Sequence, residues 1–429
     1  MIWLLLVGGI VATALTGAPI GVGLALTGIA ILHFLAGGAT PLAVTAVWNV
    51  LTDFILSAVP LFIFMGEILL VSGVSRRIYA AAAPLFQRVP GGLLHTNIAV
   101  CTVFGAVSGA STSTAAAIGS VAYPELRRRG YKPGAVIGTL AAGGTLGLLI
   151  PPSLSLLIYG ATQNVSIGRL FLAGIVPGLL MAAIFMAAIY VQARRRPGLT
   201  PPEAERTPPR RVLLGLLGIW PLGILVFAVL GTIYLGLATP TEAAGLGVLA
   251  AVVIGFTWGD LTPRSLARAF YDATFVFGSI GLVLVGALIL AQAISILGIP
   301  GQIMASIGGL AVSRYVVLAL VVLIFLVLGC FFDGISLMLM TLPVVFPVMT
   351  GLGFDAVWLG VIITMLIEIG MLTPPVGMNL FVLVAITRGE VSLPEAAREA
   401  TPYWLLLLAG VALLTAFPGI ALFLPGLMG

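Results

Sequence analysis

Apolar residues run along this chain in long blocks, set apart by short polar or glycine-rich punctuation. A helix needs about 17–25 mostly apolar residues to cross a bilayer. Ten stretches read as spans, the first of them short: 2–17, 18–36, 54–72, 134–162, 171–191, 212–235, 240–257, 274–297, 355–387 and 402–425. Two other apolar stretches fit poorly. Residues 93–125 carry Gly105, Gly109 and a Ser/Thr cluster at their middle, and residues 315–351 carry Gly329, Asp333 and Gly334. Each is too long and too interrupted for one span, and short for two. Each predicts a re-entrant hairpin, two half-length helices meeting at a polar tip at membrane depth. Such a tip is tolerated only where protein or a water-filled cavity satisfies its backbone.

Composition makes lipid the solvent. The chain is 60% hydrophobic and 8% charged, with a mean hydropathy of +1.22. Soluble domains carry about a quarter charged residues. The class is therefore an all-α polytopic membrane protein. Met1-Ile2-Trp3-Leu4 lacks the basic region that opens a cleaved signal peptide, so the first helix reads as retained. Cys101 and Cys330 lie far apart in apolar stretches and suggest no disulfide framework. His33 and His95 are single, and no transition-metal site is expected.

Charge orients the spans. With the 93–125 hairpin opening to the cytoplasm, 17 of the 19 basic residues fall inside: Arg76, Arg77, Arg88, Arg127 to Arg129, Lys132, Arg194 to Arg196, Arg206, Arg210, Arg211, Arg264, Arg268, Arg388 and Arg398. Only Arg169 and Arg314 fall outside, which satisfies the positive-inside rule. These arginines read as topology and headgroup contacts, with no nucleic-acid partner. The chain is expected as a multi-pass protein of an inner (cytoplasmic) membrane.

The chain also repeats itself. Gly109-Ala110-Ser111 marks the first tip and Gly334-Ile335-Ser336 the second. The span after each carries a Pro-Pro pair, Pro151-Pro152 and Pro374-Pro375. Pro19 and Pro240 each open an earlier span. Residues 1–191 thus read as one repeat, with its hairpin about 93–129 and its broken helix about 134–162. Residues 192–211, rich in Pro and Arg, read as a cytoplasmic linker. Residues 212–429 read as the second repeat, with its hairpin about 315–351 and its broken helix about 355–387. The topology puts one hairpin inside and the other outside, so the repeats are inverted, as in many secondary transporters.

The breaks carry the chemistry. Proline removes a backbone donor and clashes with the carbonyl four residues back, so Pro-Pro unwinds a helix. Unwound carbonyls facing a tip of small residues make an oxygen-rich cage that suits a hard monovalent cation such as Na⁺. Half-helix N-termini add positive dipole ends for an anion. The first cation site is expected from Ser108, Gly109, Ser111, Thr112, Gly143, Gly144, Pro151 and Pro152. The second is expected from Asp333, Gly334, Ser336, Thr373, Pro374 and Pro375. Ser111, Ser113, Ser153, Ser336, Gly377 and Asn379 are the expected substrate contacts. An isolated serine in a membrane helix usually bonds only neighbouring backbone, and an isolated proline only kinks. Clustering at duplicated tips and breaks moves both toward a site. Acids at membrane depth are functional by default. Asp333 and Glu368 read as near the site. Glu67 has no counterpart in the second half and reads equally well as a helix-helix contact. Glu242 reads as structural. No nucleophile elbow and no His-Glu-x-x-His is present, and the one lysine, Lys132, is in a loop, so an enzyme or a proton pump is disfavoured. Tight oxygen cages also argue against an open channel.

Certain stretches then resemble a known family. They are Pro60-Leu61-Phe62-Ile63-Phe64-Met65-Gly66-Glu67, the run from Gly105 to Ser111 and on to Tyr123-Pro124-Glu125, Ile150-Pro151-Pro152-Ser153, Thr239-Pro240-Thr241-Glu242-Ala243-Ala244 and Thr373-Pro374-Pro375-Val376-Gly377. In combination the chain resembles the large membrane subunit of a tripartite ATP-independent periplasmic (TRAP) transporter. The resemblance implies an elevator-type carrier with a scaffold and a mobile transport part built from the hairpins and broken helices. It implies Na⁺ coupling at the two tips, and import of an organic acid such as a C4-dicarboxylate or sialic acid. It implies a small four-helix membrane subunit, expected as a separate polypeptide, and a periplasmic substrate-binding protein. The alternative is a stand-alone dicarboxylate carrier without a binding protein.

Overall fold

The structure is a computed structural model, and it describes residues 2–196, 198–201, 208, 215, 217–309 and 312–427. Much of the linker at 192–211 lies outside the described residues, with Arg206, Arg210 and Arg211, as does most of the opening of the 212–235 span. Among the described residues all regular structure is helical.

In chain order the helices begin with α1 (Ile2–Thr16), α2 (Ile20–Phe34), α3 (Pro41–Thr52), α4 (Ala58–Val71) and α5 (Val74–Ala82). The first hairpin and broken helix follow as α6 (Leu93–Ser108), α7 (Ser111–Arg128), α8 (Pro133–Leu149) and α9 (Leu154–Gln163). Then come α10 (Ile167–Arg195), α11 (Trp220–Tyr234, with a π turn), α12 (Pro240–Thr257), α13 (Pro263–Ile296) and α14 (Ile299–Gly309). The second hairpin is α15 (Arg314–Gly329) and α16 (Gly334–Gly351), and the second broken helix is α17 (Ala356–Leu372) and α18 (Met378–Ile386). Helices α19 (Leu393–Ala416) and α20 (Gly419–Gly426) end the chain. Six helices, counting the joined Pro133–Gln163 as one, are long and apolar enough to cross a membrane, or seven if the bent pair α4–α5 is one span.

Several elements differ from the expected spans. The stretch at 274–297 is the later part of α13, which starts at Pro263 behind a Thr262–Ser265 capping box. Its first turns carry Arg264, Arg268 and Asp272, so the apolar pattern begins late. The stretch at 402–425 is two helices, interrupted at Phe417 and Pro418. Proline at 418 has no donor to continue α19. Helices α3, α5 and α14 had no expected counterpart, because each is too short to span. Helix α5 leaves α4 at 67° through Gly73, which takes a left-handed φ of 70°. It buries Val74, Ile78 and Tyr79 and turns Arg76 and Arg77 outward. The Arg77 guanidinium donates to Asp260 at 3.0 Å, and Asp260 N donates to Ser72 O at 2.7 Å.

Close approaches between small residues assemble these helices. Gly9 lies against Thr27 and Gly23 against Thr13, so α1 and α2 run antiparallel. Gly21 meets the backbone of Leu282, and Gly28 that of Leu290, seating α2 along α13. Helices α2, α3 and α4 gather on α13, and α12 packs on α4. Helices α6, α7, α17, α18 and α19 gather around α8. Contacts of α4 with α6 and of α13 with α16 join the two groups. Helix α8 is buried almost throughout, and α17 likewise, so the two helices that precede the breaks are the innermost parts of the fold.

Candidate functional site

The two broken helices fail in the same way. Pro151 and Pro152 offer no N–H to the carbonyls of Gly147 and Leu148, and Pro374 and Pro375 offer none to Gly370 and Met371. Each Pro-Pro bond is cis. The carbonyl of Leu148 accepts the Ser153 hydroxyl, and that of Gly370 accepts Thr373 N at 3.1 Å. The remaining helical donors are missing, which leaves polar oxygens at the centre of the fold.

Each hairpin reaches its break through one glycine pair. A methyl placed on Gly105 would lie 2.6 Å from Gly147 Cα, and one on Gly329 would lie 2.7 Å from Gly370 Cα. Gly147 and Gly370 both stand four residues before the first proline. Only bare backbone permits so close an approach. These four glycines are the structural signature that the spacing argument missed, although the matched position before each Pro-Pro pair is visible in the sequence.

The first tip is two residues, Gly109 and Ala110, and it is locked down. Gly109 has φ 63° and closes α6, its carbonyl accepts Leu154 N at 3.1 Å, and Pro152 O lies against its Cα. Ser108 and Thr114 share a hydroxyl–hydroxyl bond of 2.6 Å across the tip, and Thr114 donates to Ala110 O at 2.7 Å. Pro151, Pro152 and Ser153 are buried. The second tip spans Cys330–Asp333, and Asp333 caps α16 by accepting Ser336 N at 3.1 Å. There Pro374 and Pro375 are exposed and Thr373 half-buried.

Ser111 joins the halves. Its hydroxyl donates to Glu368 Oε2 at 2.9 Å and accepts from Asn379 Nδ2 at 2.7 Å. All three side chains are buried, to 1%, 1% and 0% exposure. Glu368 Oε1 and Asn379 Oδ1 have no hydrogen-bond partner among the described residues.

The expected site residues therefore separate. Ser108, Gly109, Ser111, Pro151 and Pro152 come together at the first junction, and Ser111 also meets Asn379. Thr112 and Ser113 are half-buried beside it. Gly143 and Gly144 lie inside α8, where they admit Cys101 of α6 and Ala115 of α7. Ser153 spends its hydroxyl on Leu148 O and on capping α9 through Leu156 N at 3.2 Å. Asp333, Gly334 and Ser336 open α16, with Gly334 packed against Ile367 of α17. Thr373 donates back to Ile369 O at 2.6 Å. Gly377 takes φ 57°, turning the chain from break to α18. Glu242 closes a capping box with Thr239, a structural role. Glu67 is half-buried on α4, next to Gly66, which presses against Ser108 O. His95 faces Pro90 O at 2.9 Å.

The donor set at both junctions is carbonyl, hydroxyl, amide and carboxylate oxygen. Among the described residues no group of three or more His, Cys, Asp or Glu side chains could hold a metal ion. Two buried oxygens without donors, Oε1 of the lone carboxylate Glu368 and Oδ1 of Asn379, fit a hard monovalent cation such as Na⁺.

Comparison with known proteins agrees with this architecture. Residues 7–420 match the family described as the tripartite ATP-independent periplasmic transporter, DctM component. The chain is 32% identical over 445 residues to the C4-dicarboxylate TRAP transporter large permease protein DctM of Rhodobacter capsulatus, covering 99% of each. It is 37% identical over 375 residues to the ectoine/5-hydroxyectoine TRAP transporter large permease protein UehC of Ruegeria pomeroyi, covering 86% of this chain and 85% of that one. Its fold is similar to the crystal structure of the Alcanivorax borkumensis YdaH transporter, at a TM-score of 0.64 and 17% identity, over 91% of this chain and 90% of that one.

Proposed function

The chain belongs to the DctM family of TRAP transporter large permeases, a transporter and not an enzyme, and from that premise we propose that it imports an organic acid using an inward Na⁺ gradient. The observation that carries the reading is the paired junction: Gly105 on Gly147 and Gly329 on Gly370, each beside a Pro-Pro break. Bound Na⁺ would supply the positive charge that lets tip and break oxygens face one another in a dry interior.

The chain's own residues do the rest. Ser108, Gly109 and Thr112 with the Pro151–Pro152 carbonyls would hold one ion, and Asp333, Gly334 and Ser336 with Thr373 to Pro375 the other. Ser113 and Gly377 would line the approach for the acid's carboxylate, while Asn379, buried with its amide nitrogen on Ser111, belongs to the contact between the halves. The positive ends of α7 and α18 favour an anion there. The R. capsulatus relative is named for C4-dicarboxylates, which makes a small carboxylate the first substrate to try, with sialic acid, for which a Vibrio cholerae relative is named, next.

In this reading the halves are inverted repeats. Helices α6 to α9 and α15 to α18 travel together as an elevator against the group around α13. The Ser111 bonds to Glu368 and Asn379 support a single travelling body, since they tie the first hairpin to the second broken helix. A small membrane subunit and a periplasmic binding protein complete the system in a bacterial inner membrane.

The test is uptake of labelled organic acids into liposomes holding the chain and its small subunit. It is run with and without binding protein and Na⁺ gradient, for wild type and for the double variant Ser111→Ala with Ser336→Ala. Uptake needing both, and weakened in the double variant, is expected. Uptake indifferent to the binding protein would favour a stand-alone carrier.

A further inference from the structure

Glu368 is the most deeply buried acid described, at 1% exposure, on the innermost turns of α17. None of the ion pairs among the described residues includes it. A carboxylate taken out of water without a counter-charge is very costly, and one at membrane depth marks a functional site. Its partners here are a hydroxyl and, through it, an amide. Ser111 donates to Oε2 at 2.9 Å, and Asn379 Nδ2 donates to that same hydroxyl at 2.7 Å.

Hydrogen accounting then leaves two acceptors together. Glu368 Oε1 and Asn379 Oδ1 have no donor, and both belong to side chains held by one oxygen, Ser111 Oγ. Ser111 opens α7, whose N-cap residue Ala110 makes no side-chain cap, so the positive end of α7 also points to this cluster. A helix end supplies only about half a charge. The rest has to come from a bound cation or from a proton on the carboxyl, and two oxygen acceptors side by side with an amide already held make the cation the stronger fit.

We propose that Glu368, Asn379 and Ser111 hold a monovalent cation of their own, at the contact between the first hairpin tip and the second broken helix. This site shares Ser111 with the first junction and differs from it in drawing its other two ligands, Glu368 and Asn379, from the second half of the chain. It extends the Na⁺-coupled reading and rests on it. Its occupancy clamps α7 to α17 and α18, so the two halves move only as a unit while the ion is bound. The first half offers no equivalent. Two residues before Gly147 stands Thr145, where Glu368 stands before Gly370, and five residues after Pro151 stands Leu156, where Asn379 follows Pro374.

The experiment counts ions. Equilibrium binding of radiolabelled Na⁺ is measured on the full chain in lipid nanodiscs, for wild type, Glu368→Gln and Thr145→Ala. Melting temperature is followed in parallel as NaCl replaces choline chloride. Glu368→Gln is expected to bind one Na⁺ fewer per chain and to gain less stability from NaCl, with Thr145→Ala matching wild type. Asn379→Ser, which withdraws the amide oxygen, is expected to weaken one bound ion, and it serves if the glutamine variant does not fold. A wild-type count unchanged in Glu368→Gln overturns this site and leaves the two-junction reading standing. No bound Na⁺ in wild type overturns both.

Discussion

At the first junction Ala110 stands where a helix cap should be, and a carboxylate from the other half reaches over to bond Ser111. At the second, Asp333 caps its own helix. Beneath that difference the two are built alike: a glycine four residues before a Pro-Pro pair, pressed on a glycine of the hairpin. One backbone skeleton is thus used twice, while the acids are placed differently. The first tip is shut against its break and tied across the chain. The second is self-capped, and its prolines are exposed. The skeleton is shared, and the acids decide which elements each junction ties together.

The shared skeleton is the easiest part to break. Gly105→Val and Gly329→Val each place carbon 2.6 or 2.7 Å from the facing Cα. Overpacking costs about 1–3 kcal/mol, and more where only backbone can yield. Both variants are expected to lose most uptake and to melt earlier by similar amounts. A large loss in one alone would show that the halves are not equivalent.

The difference is sharpened by the acids. Glu368→Ala leaves the buried Ser111 hydroxyl without its acceptor, at about 1–3 kcal/mol. Its counterpart Thr145→Ala removes only a bond within its own helix, to Ala142 O at 2.6 Å, and is expected to cost about 1 kcal/mol or less. Thermal melting of the two variants in nanodiscs measures the gap. At the second tip Asp333→Ala removes an N-cap, worth about 1 kcal/mol. Hydrogen exchange is expected to rise at Ser336 and Leu337 and to stay unchanged at Ser111 to Thr114.

The smallest effect lies at the outer end of the first hairpin. The Arg127 guanidinium, and after it the Tyr123 hydroxyl, hold the Glu390 carboxyl below its usual range. A depressed carboxylate stabilises above its unfolded pKa, and that contribution fades as pH falls through the folded value, below about 4.3. The amide protection factor near Arg127, which is exchange corrected for its intrinsic pH dependence, is expected to fall on acidification in wild type and to stay flat with pH in Glu390→Gln.

Much of this was legible from residue pattern. Long apolar runs located the spans, and glycine at 109 and the Pro-Pro pairs located the tips and breaks, because both are backbone effects written in residue type. Asp333 and Glu368 stood out as acids in apolar surroundings. The bond between Ser111 and Glu368 was not legible, since 257 residues separate them and only packing brings them together. Helix α5 was missed because it is short and half polar, and the opening of α13 because its arginines interrupt the apolar pattern. Gly143 and Gly144 read as ligands by composition, whereas their bare faces serve helix packing.

The most direct measurement is the initial rate of organic-acid uptake against Na⁺ concentration at constant ionic strength, in liposomes with binding protein and small subunit. A steep, sigmoidal rise with Na⁺, lost in Gly105→Val and in Gly329→Val alike, is the predicted result. Equal uptake in choline and in Na⁺ would contradict the account.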